Sequence, residues 1–322
     1  MTDIKTLEEK IYQGNLITKE ETLSLLPLPL EDVCAAANRI RIHFCKNLFD
    51  LCTIINGKSG RCPENCKYCA QSAHYHTDIK EYPLLDKDTL IRQALYNADR
   101  GVLRYSIVTS GRSLNDTEVN SLCDAIRAIR ETHRIEVCVS LGLLQQKQYE
   151  QLLQAGASRV HNNLEASASF FPNICTTHTI EDKIAAIKAA KAAGMHVCSG
   201  GIIGLNETME DRIDLALMLR ELDIHSVPVN VLNPIPGTPL EGQPPLSYDE
   251  IRRTIAIFRF LLPKAAIRLA GGRGSMPDKG KACFLSGANA AISGDMLTTS
   301  GITIENDLQI IAECGYKPGL LE

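Results

Sequence analysis

Three cysteines stand close together in Arg61-Cys62-Pro63-Glu64-Asn65-Cys66-Lys67-Tyr68-Cys69, spaced C-x3-C-x2-C. Three thiolates so close in sequence can wrap one metal centre. A [4Fe-4S] cluster ordinarily takes four thiolates, so a cluster held by three keeps one iron open to a substrate or cofactor. The alternative is a zinc loop completed by a fourth ligand such as His74 or His76, although structural zinc favours C-x2–4-C pairs.

The elements around this loop alternate. Short β-like runs are expected near 51–56, 103–108, 135–140, 158–165, 195–199, 226–232, 265–270 and 289–293. Amphipathic helical runs lie between them, at 86–100, 113–133, 145–155, 180–194, 207–222 and 247–261. Eight strands alternating with helices predict an α/β fold, a parallel (β/α)8 TIM-type barrel. Residues 1–45 read as an N-terminal helical cap. Thr18 with Glu21 forms a capping box that opens one helix, Pro27 and Pro29 break it, and a second helix runs from about Glu31 to Phe44. Residues 46–322 are then one barrel domain with a C-terminal extension, and the triplet falls just after the first strand, where barrel active sites gather.

Period-2 alternation assigns strand faces. Ile135, Val137 and Val139 oppose Glu136 and Cys138; Met195 and Val197 oppose His196 and Cys198; Ile267 and Leu269 oppose Arg268. With the apolar faces against the helices, the lumen receives Arg104, Ser106, Cys138, Asn163, Glu165, Cys198, Asn230 and Arg268. An ordinary barrel fills its lumen with Val, Ile and Leu. Unpaired polar groups there would cost about 1–3 kcal/mol each, so a polar lumen implies a bound occupant.

Charged residues make up 22% and hydrophobic ones 44% of the 322 residues, a globular composition. A formal net charge of −4 gives no reason to expect nucleic-acid binding. No apolar run approaches the roughly 20 residues that span a bilayer, and the polar, acidic start is no signal peptide, so a cytoplasmic chain is expected. In that reducing compartment the twelve cysteines are metal ligands, catalytic thiols or small buried hydrophobes rather than disulfides. Cys34, Cys123, Cys175, Cys283 and Cys314 take the last reading.

C-x3-C-x-aromatic-C, with Tyr68 as the aromatic, resembles the signature of radical S-adenosylmethionine enzymes. The resemblance implies that the open iron chelates S-adenosylmethionine and that its reductive cleavage yields a hydrogen-abstracting 5′-deoxyadenosyl radical, the cofactor carrying the chemistry. Within that group the chain is similar to the biotin synthase family from about residue 35 to 317. The similarity rests on Cys62 through Ser72, on His161-Asn162-Asn163-Leu164-Glu165 and Thr176-Thr177-His178-Thr179, on Val197-Cys198-Ser199-Gly200-Gly201, on Asn230 with Pro236 through Leu240, and on Ile267-Arg268-Leu269-Ala270-Gly271-Gly272-Arg273.

That resemblance implies sulfur insertion into dethiobiotin to give biotin, with a second, auxiliary iron–sulfur cluster as sulfur donor. Family ligands of that cluster, three cysteines and one arginine, fall on Cys138, Cys198 and Arg268. Asn163 and Glu165 fall near the S-adenosylmethionine ribose and the dethiobiotin ring, Asn230 on the ureido group, and Lys183 where the family often sets Arg against the methionyl carboxylate, losing the bidentate fork. A reducing protein such as a flavodoxin or ferredoxin and a homodimer are also implied. The alternative role for Arg268 is a salt bridge to Glu165 or Glu136. Competing readings are a related radical enzyme of hydrogenase maturation and a non-catalytic zinc scaffold.

The chain departs from the family at Ser106, where the first auxiliary cysteine usually stands, at Asn206 for Gly, at Lys183, and in the order His161-Asn162. The first departure puts the ordinary [2Fe-2S] cluster in doubt. Cys52, which enters the lumen near the floor if Asn56 faces it, and Cys45, seven residues earlier, are the replacements the chain offers. They would complete a larger, four-iron auxiliary cluster carrying an extra sulfide.

Overall fold

The computed structural model describes residues 3–132, 134–299 and 301–321; the first two residues of the expected cap and the last of the 113–133 run lie outside them. The eight expected strands form, as β1 (Leu48–Lys58), β2 (Arg104–Thr109), β3 (Glu136–Ser140), β4 (Ala157–His161), β5 (His196–Cys198), β7 (Ser226–Val231), β8 (Ala266–Leu269) and β9 (Ala290–Ser293). A short β6 (Gly201–Ile203) continues β5 beyond the break at Ser199-Gly200 and pairs with β7, and β10 (Lys317–Pro318) adds to the start of β1. All named pairings are parallel, and β9 returns to β1, closing the barrel.

The expected strand over 158–165 stops at His161. From Asn162 the backbone leaves the ladder, and Glu165 adopts φ 72, the left-handed region. Gly200 is required beside this turn, since a Cβ there would lie 1.9 Å from the Pro228 carbonyl oxygen.

The cap consists of α1 (Ile4–Tyr12), α2 (Lys19–Leu23) and α3 (Leu30–Cys45). The Thr18–Glu21 capping box is present in both directions. These helices do not cover the lumen; they pack on the outer wall, α3 against α9 (Tyr248–Leu261) and α2 against α8 (Met209–Glu221). One hydrophobic cluster runs from Leu7, Ile11 and Val33 through to Ile255 and Phe258. The barrel helices preceding these are α4 (Lys87–Ala98), α5 (Asp116–Thr132), α6 (Gln146–Ala155) and α7 (Ile180–Ala192), with α10 (Lys281–Phe284) and α11 (Ile304–Glu313) after α9. Among the described residues no helix is long and apolar enough to cross a membrane.

Strand register defines the lumen in layers. Neighbouring strands of a closed barrel are staggered, and the four residues of a layer come from alternate strands. Cys52 pairs with Arg104 and Arg104 with Glu136, so two residues up is Cys138. Cys138 leads through Arg159 to His196, and two residues up is Cys198. Cys198 leads through Ser226 to Ala266, and two up is Arg268. Arg268 leads through Ala290 to Asp50, and two up is Cys52 again. The register thus closes on one layer made of Cys52, Cys138, Cys198 and Arg268. Directly below lie Arg104, Arg159, Ser226 and Ala290; directly above lie Ser106, His161, Pro228 and Ile292.

Candidate active site

These layers open into a cavity of 410 Å³, whose walls include every residue assigned to the lumen from the alternation of the strands. That volume suits a small-molecule site. Its mouth carries Cys62, Tyr68 and Cys69 from the loop after β1, Asn163 and Glu165 from the turn after β4, Lys183 from the first turn of α7, and Asn230 near the end of β7.

The triplet loop is held by its own backbone and by a buried carboxylate. Cys62 N–H donates to the Gln71 carbonyl at 3.0 Å, and Cys69 N–H to that of Cys66 at 3.0 Å. Glu64 is buried and accepts from Thr177 Oγ1 at 2.6 Å, with His178 Nδ1 at 2.5 Å and Arg112 at 3.3 Å. Burial raises the Cys62 thiol and pushes Cys69 up to about 11. Without a metal these sulfurs therefore keep their protons near neutrality, and a bound cation must displace them.

Cys66 turns toward a partner absent from the sequence reading. Its Sγ lies 3.7 Å from Sγ of Cys175, a buried filler by sequence pattern alone, and Cys175 Sγ is 3.3 Å from His178 Nδ1. The hydrogen bond between the two sulfurs raises Cys66 and lowers Cys175. Neither histidine expected of a zinc loop joins them: His74 Nε2 sits 2.9 Å from the Pro63 carbonyl oxygen. Cys66, Cys175 and His178 are, among the described residues, the only three His, Cys, Asp or Glu groups whose ligand atoms all fall within 4.8 Å of one another. Neither the triplet nor the lumen thiols are gathered that tightly, which suits the wider span of a multi-iron cluster better than a single ion.

The lumen layer is more deeply buried. Cys52, Cys138 and Cys198 are 7%, 5% and 7% exposed. Burial raises the Cys52 and Cys138 thiols. It opposes ionisation of Cys198 too, but His161 and the charges of Arg268 and Arg159 overcome it and bring that thiol down to about 7. The floor is cationic. Asp50, with no exposed side-chain surface, faces Arg104 Nε at 2.9 Å and Arg268 at 3.1 Å. Arg104 and Arg159 both also donate to the Leu321 carbonyl, at 3.3 and 3.1 Å, so the last described residues close the barrel from below. Two guanidinia, Arg104 and Arg268, share the Asp50 carboxylate, and Arg159 stands with Arg104 in the layer below the thiols, so the surroundings are net positive and suit an anionic iron–sulfur centre.

Two expectations need correction. Cys45 ends α3 and points away from the lumen; its Sγ lies 3.7 Å from the Lys264 carbonyl oxygen and accepts from Arg259 at 3.5 Å. A helix packed on the outer wall cannot bring its last side chain through the sheet, so Cys45 is no part of the cavity. Arg268 does pair with a carboxylate, but with Asp50 rather than Glu165 or Glu136. Its Nη1 also donates to the carbonyls of Asp50 at 2.9 Å and Ala291 at 3.0 Å. Burial alone would favour its neutral form, yet Asp50 holds it as a guanidinium.

At the mouth, Asn163 Oδ1 accepts from Gly200 N–H at 3.0 Å and its amide donates to Glu165 at 3.3 Å. Asn230 accepts from Gly271 N–H at 2.9 Å and donates to the Gly201 carbonyl at 3.2 Å. Each Asn thus spends one donor and one acceptor on the scaffold and keeps one of each for a ligand. Among the described residues Lys183 Nζ reaches only Asn162 Oδ1, at 3.4 Å, and the buried Asn162 Nδ2 has no partner. Asp50, Arg159, His161 and Asn162 were missed from sequence. The alternation of Arg159 with His161 along β4 would have found two of them.

Comparison with known proteins agrees with this geometry. Residues 58–219 match the family described as the radical SAM superfamily, and residues 228–317 match the biotin and thiamin synthesis associated domain. The chain is 58% identical over 316 residues to a biotin synthase of Brachyspira hyodysenteriae, covering 98% of this chain and 95% of that one. It is 56% identical over 317 residues to a biotin synthase of Clostridium botulinum, covering 98% of this chain and 100% of that one. Among solved structures, a methylornithine synthase superposes with a TM-score of 0.84 at 20% identity, over 98% of both chains. A maturase of the [FeFe]-hydrogenase superposes with a TM-score of 0.82 at 19% identity, over 98% of this chain and 75% of that one. These last two speak to the fold alone. Identity across almost the full length, together with both domain matches, places the chain in the biotin synthase family of radical S-adenosylmethionine enzymes.

Proposed function

We propose that the chain forms biotin from dethiobiotin, by hydrogen abstraction at the mouth of the barrel and sulfur delivery from its floor. The observation that carries this reading is a single cavity with thiols at two levels, Cys62 and Cys69 of the triplet at the rim and the layer of Cys52, Cys138 and Cys198 below. S-adenosylmethionine on a [4Fe-4S] cluster held by Cys62, Cys66 and Cys69 supplies the hydrogen-abstracting radical when bound, and an auxiliary cluster in the lumen supplies the sulfur.

The chain's own residues position the reactants. Lys183, which among the described residues meets the Asn162 amide and no carboxylate, offers a cation for the methionyl carboxylate, and Tyr68 lines the rim. Asn163 and Glu165, tied to each other and to Gly200, present their remaining polar atoms to the ribose and the dethiobiotin ring. Asn230 has one N–H and one acceptor site left for the ureido group. The walls keep solvent from the reacting carbon.

For the auxiliary cluster the proposed thiolates are Cys52, Cys138 and Cys198, which share one register layer. Ser106 lies in the layer above, so Cys52 substitutes from a different height rather than at the same place. Arg268 completes the layer. Because Asp50 and two carbonyls hold it as a charged donor, its contribution is a positive charge and hydrogen bonds to the cluster; direct ligation would need it to lose a proton. With the third thiolate moved from position 106 to Cys52, a layer lower, the proposed occupant is a four-iron cluster carrying an extra sulfide rather than the [2Fe-2S] form. A flavodoxin- or ferredoxin-like reductant supplies the electrons.

The reconstituted enzyme, given dethiobiotin, S-adenosylmethionine and reductant without oxygen, should yield biotin and 5′-deoxyadenosine. Formation of 5′-deoxyadenosine with no biotin, and with dethiobiotin unconsumed, would refute the substrate assignment.

A further inference from the structure

We infer that Cys66, Cys175 and His178, backed by Glu64, form a second metal site that takes a single divalent cation of the zinc and ferrous-iron class in the cluster-free chain. Zinc bonded to sulfur at about 2.3 Å and to nitrogen at about 2.0 Å in a tetrahedron sets its ligands about 3.8 Å apart for two sulfurs and about 3.5 Å apart for sulfur and nitrogen. Here the two Sγ atoms are 3.7 Å apart, and the Cys175 Sγ lies 3.9 Å from His178 Nε2, the ring nitrogen that does not face Glu64. One ligand atom from each of the three residues lies within 4.8 Å of the others, and the Cys175 sulfur closes on an ion at Nε2 by turning from the Nδ1 side of the ring.

The surroundings match those of a metal-bound histidine. A ligating imidazole generally gives its other N–H to a carboxylate, which fixes the tautomer and aims the free nitrogen. Glu64 Oε2 sits 2.5 Å from His178 Nδ1 and is itself fixed by the Thr177 hydroxyl at 2.6 Å. That leaves Nε2 as the ligating atom. Asn65 ties the two loops together, its side-chain amide donating to Thr176 Oγ1 at 2.7 Å and its carbonyl oxygen accepting from Thr176 N–H at 2.9 Å. Three protein ligands leave a fourth position for water. The site is preassembled from two loops that the radical chemistry alone does not require to carry Cys175 or His178.

Cys66 belongs to both this site and the proposed cluster, so filling one empties the other. That exclusion rests on the cluster reading; the single-ion site itself does not, and it is tested on the cluster-free chain. Titration of the full-length cluster-free protein with Co²⁺ under argon should show one ion per chain, with thiolate charge-transfer bands and the strong visible bands of a tetrahedral ion. Cys175→Ala and His178→Ala should each weaken binding at least about tenfold, and Glu64→Gln by about tenfold, the usual range for a supporting partner. Cys62→Ala and Cys69→Ala should bind Co²⁺ as the parent does. Cys175→Ser, which preserves shape, and unchanged circular dichroism guard against a folding defect. Assembly of the cluster with iron and sulfide should expel the cobalt. Binding that survives Cys175→Ala but is lost with Cys62→Ala or Cys69→Ala would place the ion on the triplet and overturn the inference, as would an absence of Co²⁺ uptake by the parent.

Discussion

The triplet loop and the lumen layer both gather thiols, but by different physical means. Cys62, Cys66 and Cys69 sit on one short loop, half-buried, held by backbone hydrogen bonds and by Glu64. Cys52, Cys138 and Cys198 come from three strands, are almost fully buried, and are brought level only by the stagger of a closed barrel. A loop can rearrange around its metal. A strand layer has its spacing set by the whole fold, and it surrounds its occupant with the fixed charges of Asp50, Arg104, Arg159 and Arg268. The rim is thus suited to a cluster that exchanges its open ligand, and the floor to one whose sulfur must be delivered along a defined direction.

Substitutions can pull the two regions apart. The largest effect is expected at the rim: Cys66→Ala should reduce 5′-deoxyadenosine formation to background while auxiliary iron remains. A normal yield from this variant would contradict the assignment. At the floor, Asp50→Ala strands two buried guanidinia and should cost about 3–5 kcal/mol of stability in urea unfolding. The same ion pairs make that stability pH-dependent. Burial opposes charge on Asp50, but Arg268 and Arg104 hold its carboxyl below the ordinary value. Its contribution is therefore present in full above the ordinary carboxylate range and is lost as pH falls through the folded-state value. If Asp50→Ala unfolds with the parent's pH dependence between neutral and acid, the ion pairs do not support the floor.

At the substrate, Asn230→Ala should weaken dethiobiotin binding about tenfold to a hundredfold, from about 1–3 kcal/mol for a lost buried partner. Because Asn230 also braces Gly201 and Gly271, the melting profile should be compared with the parent's; equal affinity in a folded variant would remove it from the substrate site. The smallest effect belongs to Cys45→Ala, which should leave the iron content unchanged because this thiol faces Arg259 outside the lumen. Loss of iron from that variant would contradict the packing described above.

The rim was legible because its ligands are neighbours in sequence, and spacing alone exposes them. The strand positions were legible because period-2 alternation in 135–139, 195–198 and 266–269 separates Cys138, Cys198 and Arg268 from the apolar face. Local pattern could not supply register. Whether Cys52 or Cys45 stands level with Cys138 depends on pairings made around the entire barrel, and these admit Cys52 and exclude Cys45. Long-range ion pairing was equally hidden: the salt bridge that stood as the alternative role of Arg268 pointed to Glu165 or Glu136, whereas its partner is Asp50, two residues before Cys52 on the same strand. Cys175 and His178 approach Cys66 only through the fold, and Cys175 alone in an apolar-looking stretch carried no signal beyond that of a buried filler.

The central claim is that the floor layer, with Cys52 in it, holds its own multi-iron cluster. Iron counting with Mössbauer spectroscopy on the Cys62/Cys66/Cys69 triple alanine variant leaves only the auxiliary iron in view. About four irons per chain are predicted, lost when Cys52→Ala is added, whereas about two irons that persist after Cys52→Ala would contradict the account.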